Sequence, residues 1–336
     1  MTVLSEIQGL FSPHTVAKTI ETLPPLKSTV VDTLFPKIVE HQFAVIGIHE
    51  LETVVGTQPV VRRDGQPIPF KSKGDDVNFY APRPLKPSVD ITASEINDLK
   101  VIWGNTISRQ AFVARKVDQL RQVVRNSTEG MASVVATTGA LAWPSRVEGG
   151  GVETYELDFG SLTQVDPAQG WDSGTAPTLK EVYDHLTDLE ERVTEDGGGG
   201  NLKFLAGKTA FGTLLNLAEK WMSTVQGRVI DLKLENGVII IGGYEIRRLT
   251  ERYQSPIDEQ WISKIETDLL LGYAQDQPGT VFYLAIDSIS NNGQATPFHI
   301  VTEPVPGDAA IRLIGQAKPV PSRNTRSLIL SQVTNI

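Results

Sequence analysis

The sequence predicts an α+β fold, and three observations carry that prediction. One helical pattern runs from about residue 93 to about residue 140. The C-terminal third is filled with short strand-like segments, with Asn236-Gly237 and Gly242-Gly243 placed as hairpin turns. No period of roughly 20–50 residues repeats, which excludes a solenoid or propeller. A chain of 336 residues is long enough for two domains at about 150 residues each.

Composition narrows the function. Apolar residues make up 40 % and charged residues 21 %, enough for a core and too few charges for a disordered chain. The 40 acidic residues exceed the 31 basic ones, so a whole-chain basic footprint for gripping nucleic acid is absent. There is no cysteine, which removes disulfides, thiolate catalysis and zinc-thiolate sites and fits a reducing compartment. The first residues lack a basic n-region, and no stretch approaches ~18 consecutive apolar residues. Neither a secretory signal nor a membrane span is expected.

Residues 1–55 read as an arm. Short apolar segments alternate with Pro13, Pro24, Pro25 and Pro36, and Ala44–Ile48 is strand-like. This surface is too small to close its own core, so the arm is expected to pack on something else. Residues 56–90 carry six prolines, and six basic against four acidic groups. Asp64-Gly65 is a hairpin turn, with Thr57–Val61 facing Ile68–Lys71 and Val77–Tyr80 as a returning strand. A proline-rich, locally basic loop of this length fits a binding arm.

Thr92-Ala93-Ser94-Glu95 is a capping box, with Ile91 and Ile96 at the hydrophobic-staple positions. Apolar residues then recur at steps of three or four through Leu99, Trp103, Val117, Leu120, Val124, Met131 and Val135. Gly104 is a point where this helix can kink, and Pro144 ends the pattern. Arg109, Arg115, Lys116, Arg121 and Arg125 decorate its other faces. The helix is far longer than the mean of about 11–12 residues.

Gly149–Gly151 lead into a half-buried strand over Val152–Gly160, and Trp171 follows in a polar loop. Leu179–Arg192 is an acidic amphipathic helix, and Gly197–Gly200 is read as a flexible break. Next come a strand at Leu202–Leu205, a helix at Thr209–Trp221, and strands at Val229–Leu234, Val238–Ile241 and Tyr244–Leu249. Glu259–Leu269 is helical or a short edge element. Strands at Val281–Ile286, Phe298–Glu303, Ala310–Gln316 and Ser327–Val333 complete the chain.

Few residues point to chemistry. Ala206-Gly207-Lys208-Thr209 resembles the end of a phosphate loop between strand and helix, and Val281–Asp287 resembles a partner strand ending in a magnesium-binding aspartate. The first glycine of such a loop falls at Leu202, so a plain strand-to-helix turn is preferred. A nucleotide-binding α/β enzyme using Gly207, Lys208 and Thr209 is the alternative. His14, His41, His49, His185 and His299 lack metal-ligand spacing, and His185, on an acidic helix face, is read as solvated. No nucleophile elbow, dinucleotide fingerprint or calcium loop occurs. No catalytic residue, cofactor or metal is therefore expected.

The ordered set resembles the major capsid proteins of tailed bacteriophages, specifically the phage-lambda-like capsid protein E family. The likeness is carried by Tyr80–Pro84, Thr92–Leu99, Arg109–Asp118, Thr128–Met131, Glu153–Gly160, Trp171, Phe204–Leu217 and Ile311–Pro319. It covers the chain from about residue 30 to the end. The resemblance implies a Hong Kong ninety-seven type capsid fold. Its parts would be an N-terminal arm (1–55), an extended E-loop hairpin (56–91), a P domain with a long spine helix (92–170), an A domain (171–295), return strands of the P domain (296–318) and a C-terminal strand of the A domain (319–336).

The resemblance further implies a non-enzymatic head protein that self-assembles into the icosahedral shell around the double-stranded DNA of a tailed bacteriophage. It would form pentamers and hexamers in the host bacterial cytoplasm and end in the virion. Arm and loop would be completed by other copies of the chain, with Arg62, Arg63, Lys71 and Lys73 of the loop lying on an acidic neighbouring surface. A decoration protein, a portal and a separate scaffold are the implied partners, the last because no long N-terminal extension is present. Some relatives link a loop lysine to an asparagine. Nothing in the sequence assigns that role to Lys71, Lys73 or Asn324.

Overall fold

The computed structural model describes residues 15, 18, 19, 23, 28–47, 79–92, 94–95, 106–147, 150–224, 230–305 and 310–335. Much of the arm and most of the E-loop, including the 57–71 hairpin, lie outside this set. The described chain opens with helix α1 (Thr29–Leu34) and strand β1 (Lys37–His41), then β2 (Ile46–Gly47), β3 (Phe79–Tyr80) and β4 (Ser88–Thr92). Helix α2 (Thr106–Thr138) is 33 residues long. The strands β5 (Ala140–Arg146), β6 (Val152–Asp158) and β7 (Thr163–Gln164) lead to α3 (Leu179–Glu195), β8 (Leu202–Ala206) and α4 (Lys208–Thr224). Strands β9 (Leu232–Glu235), β10 (Val238–Ile241), β11 (Tyr244–Arg248), β12 (Arg252–Gln254), β13 (Trp261–Ser263), β14 (Leu269–Ala274) and β15 (Thr280–Leu284) follow. The last are β16 (His299–Pro304), β17 (Ala310–Gln316), β18 (Pro319–Ser322) and β19 (Leu328–Gln332).

A seven-stranded sheet, ordered β7-β19-β14-β8-β11-β10-β9, is the central wall. Its middle strands are buried on both faces, and their period of two divides them between two cores. Leu202, Phe204, Ala206, Leu270, Ala274 and Ile329 meet α3 and α4 in one core. Leu205, Leu271, Tyr273, Leu328 and Leu330 face the other core, with α1, the end of α2 and β5. A third core joins Val113, Val117 and Leu120 of α2 to Ile91, Ile300, Ile311 and Leu313 of the β16-β17-β4 sheet.

The capping box forms as read. The Glu95 amide donates to Thr92 Oγ1 at 3.3 Å and the Thr92 amide to Glu95 Oε2 at 3.1 Å. Residues 96–105 lie outside the described set. The helix ends at Thr138, and Ala140 to Arg146, Pro144 included, form β5, paired antiparallel with β6. The two hairpin turns form with Asn236, Gly237, Gly242 and Gly243 all at positive φ.

Several readings change. Part of the arm packs on its own chain, because Val30, Val31, Leu34 and Phe35 bring enough apolar surface to join the first core, and β1 pairs in parallel with β15. The Gly197–Gly200 segment is held rather than loose. The Gly198 amide donates to Val193 O at 2.8 Å, the Gly200 amide reaches both Asp276 carboxylate oxygens, and a Cβ on Gly198 would come within 1.8 Å of Arg326 O. Glu259–Leu269 contains β13, the partner of β12. Val281–Ile286 shortens to β15, which leaves the main sheet to lie between β1 and β18.

Candidate assembly surfaces

The phosphate-loop alternative is closed by backbone. The Gly207 amide donates to Leu269 O at 2.9 Å, and the amides of Thr209 and Ala210 donate to Thr267 O at 2.9 and 3.0 Å. The amides of Gly207, Thr209 and Ala210 at the start of α4, which a phosphate would need, are taken. Gly207 is required because a Cβ there would lie 2.1 Å from Glu266 O. Asp287 lies beyond β15 in a different sheet and accepts from Lys318 Nζ at 3.0 Å. No cluster of three or more metal-ligating side chains occurs among the described residues.

His185 is not solvated. Its Nε2 lies 2.9 Å from Ser331 Oγ, and its ring stands edge-on to that of the buried Trp171 at 6.3 Å. Burial pushes its pKa down, against the opposing pull of the Asp188 and Asp166 charges. The acidic face of α3 suggested solvent, but the position at 185 looks toward β19.

The arm is fastened by charge. Glu129, buried within α2, accepts from the first amides of α1, Val30 N at 2.7 Å and Val31 N at 2.9 Å. The same carboxylate takes the buried Lys264 ammonium at 2.7 Å, and Lys264 also pairs with Glu251, which in turn holds the Thr29 hydroxyl. Lys264 holds the Glu251 carboxyl below its usual range, against the opposing effect of burial. Arg125 reaches Ser28 Oγ and Asp32 Oδ1, each at 2.6 Å. At the other end of α1, the buried Arg323 donates to Leu34 O at 2.7 Å and to Ala274 O at 2.5 Å, and burial brings its pKa down to about 10. A carboxylate at the helix start and a guanidinium at its end both complement the helix dipole. Arg125 and the Thr128–Met131 stretch are singled out in the sequence, but nothing there joins them to the arm as a clamp. The available signal was Glu129 itself, a charge on the stretch between Val124 and Met131 where the helical period points inward.

Among the described residues, three surfaces stand out as open. Strand β1 is the edge of its sheet, with Ile38, Val39, Phe43 and Val45 exposed along it and just beyond. The β5-β6 hairpin presents Glu153, Glu156 and Asp158 on exposed positions, with Arg83 paired to Glu153. The β12-β13 hairpin carries an exposed Trp261, and beside it a cleft of about 490 Å³ is lined by Val123, Trp143, Tyr253, Pro256 and Glu259. Open edges and exposed apolar side chains of this kind mark contact with other chains. Arg62, Arg63, Lys71 and Lys73 lie outside the described residues, so their acidic seat is untested by the structure. Asn324 is engaged within the chain, donating to Gln277 Oε1 at 3.2 Å and accepting from the Arg326 amide at 3.1 Å.

The family of phage major capsid protein E matches residues 12–332. The chain belongs to that family. No curated protein matches the sequence. Among solved structures, the capsid protein is similar to a protein described as a prophage capsid protein of E. coli CFT073, at 15 % identity and a TM-score of 0.65, covering 96 % of this chain and 99 % of that one. It is also similar to a phage-related protein of Bordetella bronchiseptica RB50, at 11 % identity and a TM-score of 0.48, covering 96 % and 97 %. A virus-like particle of Pyrococcus furiosus follows at 9 % identity and 0.42, covering 94 % and 95 %. Only the first of these three is near enough in shape to carry an argument. The fold of this capsid protein is the Hong Kong ninety-seven type, with α2 as its long helix.

Proposed function

We propose that this chain is the head subunit of a tailed bacteriophage, assembling as pentamers and hexamers into a closed icosahedral shell around double-stranded DNA. The observation that carries this reading is membership of the capsid family over residues 12–332. The open β1 edge and the exposed apolar hairpins support it as surfaces for neighbouring copies. The role is structural rather than enzymatic. The subunit divides into a P domain, built on α2 with the β16-β17-β4 sheet, and an A domain, built on the seven-stranded sheet with α3 and α4. The E-loop extends to a neighbour, with Arg62, Arg63, Lys71 and Lys73 on an acidic surface. The exposed carboxylates of β6 are one such surface.

A net charge of −9 suits a container that holds DNA by confinement and releases it. Assembly in the host bacterial cytoplasm around a separate scaffold, a portal at one vertex and a decoration protein outside complete the reading. The test is reversal of loop charge. Arg62→Glu with Arg63→Glu leaves a folded subunit, seen as an unchanged Tm, and stops shell formation in sedimentation. Normal shells from that variant contradict the loop assignment. A salt-sensitive affinity of the free subunit for DNA contradicts confinement.

A further inference from the structure

We propose that the cleft beside Trp261 is the seat for the segment Pro67–Lys71 of a neighbouring copy, with the prolines stacked on aromatic rings and Lys71 paired with Glu259. This rests on the reading that the E-loop reaches a neighbour, and it names the place where the loop lands.

The cleft has the chemistry of a proline reader. Trp143 and Tyr253 form its floor with ring centroids 5.9 Å apart, and Trp261 stands at its mouth with 64 % of its surface exposed. Val123 and Pro256 complete the apolar lining. Proline offers a flat apolar ring, has no amide to satisfy, and arrives with φ already fixed, so an aromatic groove binds it at low ordering cost. Glu259 sits at one end of the hairpin on a backbone fixed by its amide donating to Ser255 O at 3.2 Å. Its carboxylate has no ion-pair partner among the described residues, and neither has the guanidinium of Arg252. Arg252 faces Ser263 at the far end of the β12-β13 pair, while Glu259 lies past the Gln254–Trp261 end. A lysine entering this cleft is drawn to the Glu259 end and repelled from the other, which sets a direction.

The sequence supplies one segment of the matching kind. Gln66-Pro67-Ile68-Pro69-Phe70-Lys71 has two prolines in alternation, an aromatic residue and a lysine. Two other proline pairs are committed elsewhere. Pro319 and Pro321 lie within β18, and Pro82 and Pro84 flank Arg83, which is tied to Glu153 and Ser145.

The absence of cysteine makes the test clean, since any disulfide comes from an introduced pair. Shells assembled from the Ile68→Cys, Gln254→Cys variant and oxidised give a ladder of covalently linked chains on a denaturing gel. A ladder from Ile68→Cys with Glu156→Cys, and none with Gln254→Cys, places the loop on the acidic β6 strand; that overturns the cleft assignment and leaves the loop-to-neighbour reading intact. A ladder with neither overturns the cleft assignment and leaves the loop-to-neighbour reading to the Arg62→Glu, Arg63→Glu test. In parallel, Trp261→Ala raises the subunit concentration for half-maximal assembly about tenfold, as loss of a buried aromatic anchor does, while Trp261→Phe shifts it less than about threefold. Lys71→Glu blocks assembly, and adding Glu259→Lys restores it. Wild-type assembly by Trp261→Ala, or no rescue by the charge swap, overturns the proposal.

Discussion

Glu129 is one residue serving two neighbours, capping α1 and neutralising the buried Lys264. Glu129→Ala leaves that ammonium buried with Glu251 as its remaining carboxylate among the described residues and two α1 amides without their acceptor. It should cost about 3–5 kcal/mol in a urea unfolding titration; a loss below about 1 kcal/mol would show that the clamp does not hold the arm. His185 gives a pH signature. Its folded pKa is pushed below the free value of 6.5, so the unfolded chain binds the extra proton first. This contribution to stability is present above pH 6.5 and is lost as the pH falls from there through the folded value. Tm should drop across that window in the wild type, and His185→Gln should flatten the drop; an unchanged slope in the variant would remove His185 as its source.

At the scale of elements, Thr178 caps α3 through a reciprocal box with Glu181, whose carboxyl is held low by the Thr178 amide and hydroxyl. Thr178→Ala should cost about 1 kcal/mol, read as a lowered urea midpoint with unchanged slope. The strand-to-helix turn at Gly207 predicts a null result. ATP with magnesium leaves Tm unmoved, and Lys208→Ala, at an exposed position, shifts stability by no more than about 0.5 kcal/mol. A nucleotide-dependent rise in Tm would revive the enzyme alternative. What the sequence showed and hid at this scale follows from periodicity. Helix α2, helix α3, strand β17 and the hairpin β10-β11 each carry an unmixed period, with a capping box on α3 and glycine turns in the hairpin, and each was legible. Strand β14 was not, because Leu269-Leu270-Leu271 is buried on both faces and a run without alternation has no period to read. Strand β18 was hidden by its prolines, which an edge strand tolerates. The arm clamp stayed invisible because its partners, Glu129, Glu251 and Lys264, meet only through tertiary packing.

At the scale of the whole molecule, the chain is a body with attachments. Two cores close on the faces of the seven-stranded sheet and a third on the β16-β17-β4 sheet, while β1, the β5-β6 hairpin and the β12-β13 hairpin keep open edges among the described residues. With no cysteine, no disulfide can staple a shell of these chains. Electron microscopy of the purified chain, or of the particle that carries it, tests the shell reading most directly. The account predicts closed icosahedral shells with five-fold and six-fold clusters of subunits; a population of dispersed monomers under assembly conditions would contradict it.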